Sequence, residues 1–443
     1  MIAFTSAPAG DILLTLVQIV ALLLTGRLLG EIASRLGQPP VIGELCAGIV
    51  LGPTLLSGLS PALGALFIPS TPTQGHLLEF AGLIAVLFLL LVTGMEVDGA
   101  LIRRRLRPAI GISFGGLIVP LCAGFALGLL LPDSLLTRPD SRLAFAVYLG
   151  TAMTISAIPV LAKILLDLGL TRRAIGGTIL VAAVVDDPIG WTLLAIVAAL
   201  TSDGAFNGAG VARAIGGAAL FMIMAFTIGR WAISAAHRLI VERMRARERE
   251  LSLVVIVMIG GAAISLALGL EALLGAFVVG ALFNMMRGGR TLSSQTRATL
   301  EQIAVGIAAP IFFGIIGLKV DARLLVAQPE WLWVTLLVIA VATVSKVAGV
   351  YLGARLFAGA DHWTALFYGF GLNARGAMLL ILAGLGVNLG VLNGGMFTVL
   401  VVTAIVTSIM APPLLRLTLA RLPADPESRS PHDATVEMEA LTL

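Results

Sequence analysis

Asp186 and Asp187 stand side by side in the apolar stretch GGTILVAAVVDDPIGWTLLAIVAAL. The length and hydrophobicity of that stretch fit a membrane-crossing helix. Ionised groups at such depth are costly, and where they occur they serve proton relays or ion sites. Adjacent helix positions point about 100° apart, so the two carboxylates face different neighbours. One can face a cavity while the other faces a partner. Pro188 removes a backbone donor at the same place and disturbs the helix. A proton and a cation competing for one carboxylate would give exchange without any cofactor. The alternative for these residues is a structural polar pair buried within a helix bundle.

A membrane-buried acid calls for a counter-charge. Lys346 lies midway along VTLLVIAVATVSKVAGVYLGARL, the only lysine deep within an apolar run on both sides. Its central position argues against snorkelling to an interface. Two helix breaks add polar groups. TAMTISAIPVLAKILLDLG at 151–169 carries Thr151, Thr154, Ser156 and then Pro159. Its hydroxyls and freed carbonyls could line an ion site. GFGLNARGAMLLILAGLG at 369–386 places Asn373 and Arg375 between glycines. Arg375 could neutralise carbonyl dipoles or pair with an acid. Glu44 and Glu96 are cavity or interface candidates, and Lys319 and Asp321 fit an interfacial role. Lys163 and Asp167, four residues apart, suit a local pair. The four histidines, at 76, 237, 362 and 432, lie near loops or in the tail, with no partner that suggests a metal or a base.

These residues must be positioned by membrane helices. The chain has 443 residues, 58% hydrophobic and 12% charged, with a mean hydropathy of +1.03. A soluble domain carries about 25% charge, so soluble readings fall away. The net charge of +4 gives no indication of nucleic acid. The two cysteines, Cys46 and Cys122, sit in apolar segments and suit neither a disulfide nor a metal site. No phosphate-cradling loop is present to suggest ATP drive. Thirteen spans are expected, at about 12–34, 40–57, 78–98, 108–131, 142–167, 173–200, 211–238, 250–268, 270–286, 298–319, 330–355, 363–386 and 391–415. The eighth and ninth are divided mainly by Glu271, and a twelve-span count is the rival. The two breaks lie in the fifth and twelfth spans, an offset of seven that reverses direction, as inverted repeats require. Glycine pairs such as Gly260 and Gly261 suit close helix packing.

Basic residues cluster after odd-numbered spans, among them Arg103, Arg104, Arg105 and Arg107 after the third. Positive-inside logic gives an outside N-terminus and a cytoplasmic C-terminus. The first span lacks a basic n-region and a small-residue cleavage site, so a retained helix is expected. Residues 422–443 read as a disordered tail, too short for a nucleotide-binding domain. The domain reading is thus a membrane domain at 1–421 followed by that tail.

With the acid pair and the buried lysine in place, the chain resembles the monovalent cation:proton antiporters. It is similar to the bacterial branch that holds sodium/proton antiporters and potassium-efflux systems. PPVIGELCAGIVLGP at 39–53, FLLLVTGMEVD at 88–98, LLGAFVVGALF at 273–283 and PIFFGIIGLKVD at 310–321 carry the resemblance. With VVDDPIGW and the NARG segment it extends over nearly all of 12–415. The chain departs from the pattern at Ala377, where many relatives carry an acid, and at Ala374, where sodium-excreting relatives often carry proline.

The resemblance implies an all-α, polytopic fold of about thirteen transmembrane helices, with inverted repeats and two crossed discontinuous helices. It implies a core domain, about 78–200 and 298–415, and a dimerisation scaffold, 12–57 and 211–286. Asp187 would bind cation or proton, Asp186 would pair with Lys346, and Thr151 and Thr154 would supply nearby ligands. Pro159, Asn373 and Arg375 would support the breaks. The implied protein is a homodimer of the bacterial inner membrane, not an enzyme and without a cofactor. It would exchange H⁺ for Na⁺ or Li⁺ by elevator-type movement. A K⁺/H⁺ antiporter is the main alternative, followed by a cation channel on the same fold and an organic-anion carrier using Arg375.

Overall fold

In the computed structural model, residues 8–422 are described, apart from 97–98, 138–141, 169, 171–172, 203–207, 239–247, 269 and 287–291. The expected tail at 422–443 lies, but for its first residue, outside the described residues. The architecture is all-α. In chain order the helices begin with α1 (Ala9–Arg35), α2 (Pro40–Leu51), α3 (Leu56–Leu59), α4 (Pro61–Phe67) and α5 (Pro72–Met95). Next come α6 (Gly99–Leu130), α7 (Arg142–Thr154), α8 (Ile158–Asp167), α9 (Ala174–Ser202) and α10 (Gly208–Met224). Then follow α11 (Arg230–His237), α12 (Glu248–Ala267), α13 (Ala272–Asn284), α14 (Ser294–Ile303) and α15 (Ala309–Leu318). The last are α16 (Arg323–Ala327), α17 (Pro329–Phe357), α18 (His362–Leu372), α19 (Gly376–Asn388) and α20 (Gly394–Leu419). Single π-helical turns join α10 to α11 and α14 to α15.

A lipid-facing backbone must satisfy its own polar groups, which favours helices throughout. Polar residues mark where the helices begin. Thr71 accepts from the Gln74 amide ahead of α5, and Ser293 from Thr296 ahead of α14. Asn393 does the same for Met396 at α20. Among the described residues, ten helices are long and apolar enough to cross a membrane. The other three of the thirteen expected spans are the short apolar α13 and the two broken spans, α7–α8 and α18–α19. Glu271 does separate α12 from α13, standing at the N-cap position of the latter. Exposed Leu13, Leu24, Ile223, Trp231 and Ile256 present apolar surface on the outer helices, as lipid contact requires.

Helix packing falls into two groups. α6, α7 and α9 pack together, and α17 packs on α6, α18 and α20, with α19 on α20. In the other, α1 packs on α2, α2 on α15, and α5 on α13 and α15. The sequence reading placed the spans at 78–98 and 298–319 with the core, whereas α5 and α15 pack principally on α1, α2 and α13.

Candidate functional site

The site is built where the two broken spans meet α6, α9 and α17. The break at residues 155–157 crosses the break at 373–375, and each supplies what the other lacks. The Ala157 amide donates to the Ala374 carbonyl at 2.8 Å, and Ser156 Oγ to the Leu372 carbonyl at 2.7 Å. Arg375, fully buried, donates Nη1 to the Ala152 and Met153 carbonyls at the end of α7 and Nη2 to the Ala342 carbonyl of α17. Its positive charge lies against the carbonyl end of α7, where a helix carries partial negative charge. Gly376 turns the chain at φ +32°, and its amide donates to Ser408 Oγ of α20 at 3.0 Å. Open backbone is tolerated at membrane depth because protein groups satisfy it here.

Asp186, Asp187 and Lys346 lie beside this crossing, at 1%, 3% and 0% exposure. Lys346 Nζ stands 3.0 Å from Asp186 Oδ2. It also donates to the Gly116 carbonyl at 3.0 Å and the Thr154 carbonyl at 2.5 Å. Ser113 Oγ donates to the other Asp186 oxygen, Oδ1. The pair is therefore desolvated, in contact and hydrogen-bonded on both sides. These are the conditions under which a buried ion pair is tolerated.

Asp187 is different. Both of its carboxylate oxygens are buried without a hydrogen-bond partner among the described residues. A cavity of about 10 Å³ opens beside it, lined by Ile155, Asp187, Gly190, Trp191, Met378 and Leu382. That is close to the ~10–15 Å³ needed for a single water. The Trp191 indole nitrogen, in the same lining, is also buried without a hydrogen-bond partner among the described residues. A carboxylate without a hydrogen bond is costly in such surroundings. A proton or a small cation at these oxygens would relieve that cost.

The structure distributes the expected residues as follows. Asp186, Lys346 and the main chain of Thr154 meet directly. The Thr151 and Thr154 hydroxyls turn back on their own helix, to the Val147 and Thr151 carbonyls, and neither residue lines the Asp187 cavity. Asn373 is buried at the crossing, with Oδ1 unpartnered among the described residues. Pro159 lies at the start of α8. Glu44 is buried on α2, close to Gly30, while Glu96 is exposed at the end of α5. Lys319 pairs with Glu79, and Asp321 with Arg323. The side chains of Lys163 and Asp167 lie outside the described residues. Sequence reasoning missed Ser113, Gly116 and Trp191. His237, near a loop, has Nε2 3.0 Å from Glu250 Oε1. The signal available for the first two was SFGGLIVP at 113–120, a lone hydroxyl, a glycine pair and a proline inside an apolar run.

Comparison with known proteins extends over the same region. The family model described as "Sodium/hydrogen exchanger, transmembrane" matches residues 19–421. The Na(+)/H(+) antiporter NhaS4 of Synechocystis sp. is 35% identical over 410 residues, 91% of this chain and 97% of that one. The Na(+)/H(+)-K(+) antiporter GerN of Bacillus cereus is 27% identical, over 90% of this chain and 95% of its own length. Cation/H(+) antiporter 17 of Arabidopsis thaliana is 30% identical over 91% of this chain but 48% of its own, so this chain spans about half of it. Among solved structures, the sodium proton antiporter MjNhaP1 from Methanocaldococcus jannaschii at pH 8 superposes with a TM-score of 0.71. The likeness covers 92% of this chain and 99% of that one at 17% identity, so it speaks to the fold.

Proposed function

The chain belongs to the transmembrane sodium/hydrogen exchanger family, secondary-active antiporters of cations and protons in the membrane, and from that premise we propose that it exchanges H⁺ for Na⁺ or Li⁺ at Asp187. One observation carries the reading. Asp187 has both oxygens without a hydrogen-bond partner among the described residues, beside a water-sized cavity, while its neighbour Asp186 is engaged by Lys346 and Ser113. A protonated Asp187 and a cation-bound Asp187 are each neutral overall, and the carboxylate cannot hold both partners at once. Competition for that site couples the two fluxes. The Asp186–Lys346 pair supplies a second element that can alter the charge moved per cycle. The backbone crossing at 155–157 and 373–375 supports the breaks, with Asn373 and Arg375 on one side and the start of α8 at Pro159 on the other.

The two packing groups support alternating access. A body of α6–α9 with α17–α20 carries the acids, and a scaffold of α1, α2, α5, α12, α13 and α15 stays fixed in the bilayer. The moving body carries Asp187 from one face to the other, as an elevator. This division replaces a core that includes the spans at 78–98 and 298–319. A homodimer joined through scaffold helices, an N-terminus outside, a cytoplasmic C-terminus and a bacterial inner-membrane location complete the reading. The orientation rests on the arginine-rich loops.

Exchange of K⁺ is the second reading, favoured by the relative whose name includes K⁺ and by Ala374 and Ala377 in the twelfth span. The test is reconstitution into liposomes with an imposed proton gradient. Na⁺, Li⁺ and K⁺ are added separately, with Asp187→Asn alongside. Collapse by Na⁺ or Li⁺, absent in the variant, is the expected result. A response to K⁺ alone moves the protein to potassium exchange. Full activity in Asp187→Asn overturns the site.

A further inference from the structure

We propose that Ser113 and Pro120, both on α6, are positioning residues that hold the Lys346 ammonium on Asp186 and so keep it off Asp187. The inference rests on the reading of Asp187 as the cation site. It answers a problem that reading raises. A long, flexible lysine lies beside two adjacent carboxylates, yet only one of them is paired. An ammonium free to reach Asp187 would compete with the transported cation.

Lys346 has three N–H donors to place. They go to Asp186 Oδ2, the Gly116 carbonyl and the Thr154 carbonyl, which leaves none for Asp187. The Thr154 carbonyl is available because α7 ends there. The Gly116 carbonyl is inside a long helix, where residue 120 would ordinarily donate to it. Residue 120 is proline, which has no N–H. Pro120 thus leaves the Gly116 carbonyl open for Lys346. Gly116 must also be bare, since a β-carbon there would stand 2.7 Å from Val350 Cγ2 and 3.6 Å from Lys346 Nζ.

Ser113 acts on the other partner. It lies one turn before Gly116, on the same face of α6. Its hydroxyl occupies Asp186 Oδ1, which fixes the carboxylate with Oδ2 toward the lysine. One helix therefore fixes both ends of the ion pair, through a hydroxyl at 113 and a proline-freed carbonyl at 116. Removing either contact leaves a donor or a carboxylate oxygen unmatched next to Asp187, whose oxygens have room for the ammonium.

The experiment measures Na⁺, Li⁺ or K⁺ exchange in proteoliposomes, using the cation that wild type transports best, for Ser113→Ala, Ser113→Thr and Pro120→Ala. Asp187→Asn is run as a separate arm. In Ser113→Ala and Pro120→Ala the KM for the cation rises about 10-fold, the scale of one hydrogen bond to a charged group. Vmax changes less than KM, because saturating cation displaces the ammonium. Ser113→Thr keeps the hydroxyl and restores the wild-type KM. Unchanged KM in both alanine variants overturns the proposal, and so does a fall in Vmax at constant KM. If Ser113→Ala fails to fold, Pro120→Ala decides, since it restores an ordinary helix. Activity in Asp187→Asn overturns the underlying site, whereas a dead Asp187→Asn with unchanged KM in the α6 variants overturns this inference alone.

Discussion

Gly115 and Gly349 meet backbone to backbone where α6 crosses α17. A β-carbon on Gly115 would stand 2.1 Å from the Gly349 carbonyl oxygen, and one on Gly349 would stand 2.3 Å from that of Gly115. The contact repeats a turn away, where a β-carbon on Gly353 would stand 2.3 Å from the Gly111 carbonyl oxygen. Small residues four apart let membrane helices approach this closely. The approach brings Lys346, one turn before Gly349, to the Gly116 carbonyl.

Gly115→Ala and Gly349→Ala therefore separate the two helices and pull Lys346 from its acceptors. Overpacking of this kind costs about 1–3 kcal/mol. Both variants are expected to melt at lower temperature in detergent and to transport more slowly. Gly260→Ala is the control, because nothing lies within 4 Å of a β-carbon there. Melting temperatures of Gly115→Ala and Gly349→Ala equal to that of the control would contradict the account.

Asp187→Asn tests the partnerless carboxylate from the side of stability. No hydrogen bond or ion pair is lost among the described residues when this group becomes an amide. The variant is expected to melt at or above the wild-type temperature. A bound cation stabilises wild type, by about 2.7 kcal/mol at a concentration 100 times Kd. That stabilisation disappears in the variant. The measurement is a melting curve with Na⁺, Li⁺ or K⁺ against choline. A cation-dependent shift that survives in Asp187→Asn places the binding site elsewhere.

The ion pair behaves in the opposite way. Lys346→Gln leaves Asp186 buried with Ser113 as its remaining side-chain donor, and removing one partner of a buried pair costs about 3–5 kcal/mol. Asp186→Asn leaves Lys346 with two carbonyls. The double variant Asp186→Asn, Lys346→Gln removes both charges and is expected to be more stable than the sum of the single losses implies. Coupling of about 0.5–3 kcal/mol is the range for groups in direct contact. Thermal or denaturant unfolding of the four proteins measures it, and additive losses would show that the two groups are not paired in the membrane.

These tests concern residues whose visibility in the sequence differed. The acid pair, Lys346 and both breaks stand out because each is a polar or helix-breaking group inside an otherwise apolar run, and that contrast is local. The role of Ser113 is not local. Hydroxyls in these helices mostly bond the carbonyl four residues back, as Thr15, Thr93, Thr335 and Thr403 do. Thr151 does the same. What turns Ser113 toward Asp186 is the helix that packs against it. The same limit applies to glycine. Gly260 and Gly261 read alike, yet only Gly261 faces α13, where a β-carbon would stand 2.5 Å from Val279 Cγ2. It also applies to α5 and α15, whose packing group is decided by partners distant in sequence.

Asp361 offers a prediction outside the spanning segments. It precedes α18, the helix that leads into Asn373 and Arg375, and caps it. Oδ1 accepts from the Trp363 and Thr364 amides at 2.9 and 3.2 Å, and Oδ2 from Thr364 Oγ1 at 2.5 Å. Partial burial works against the charge, but the hydrogen bonds outweigh it and hold the Asp361 carboxyl below the usual carboxylate range. The sign of the pH dependence follows from linkage. A depressed carboxyl contributes stability that is complete above its unfolded value and is lost as pH falls through its folded value. Asp361→Ala removes the cap and is expected to cost about 1 kcal/mol at neutral pH. The difference between variant and wild type should shrink as pH drops below the ordinary carboxylate range, where wild type loses the charge as well. Unfolding curves across that range give the answer, and a difference that stays constant with pH would mean that the ionised carboxylate is not what holds the start of α18.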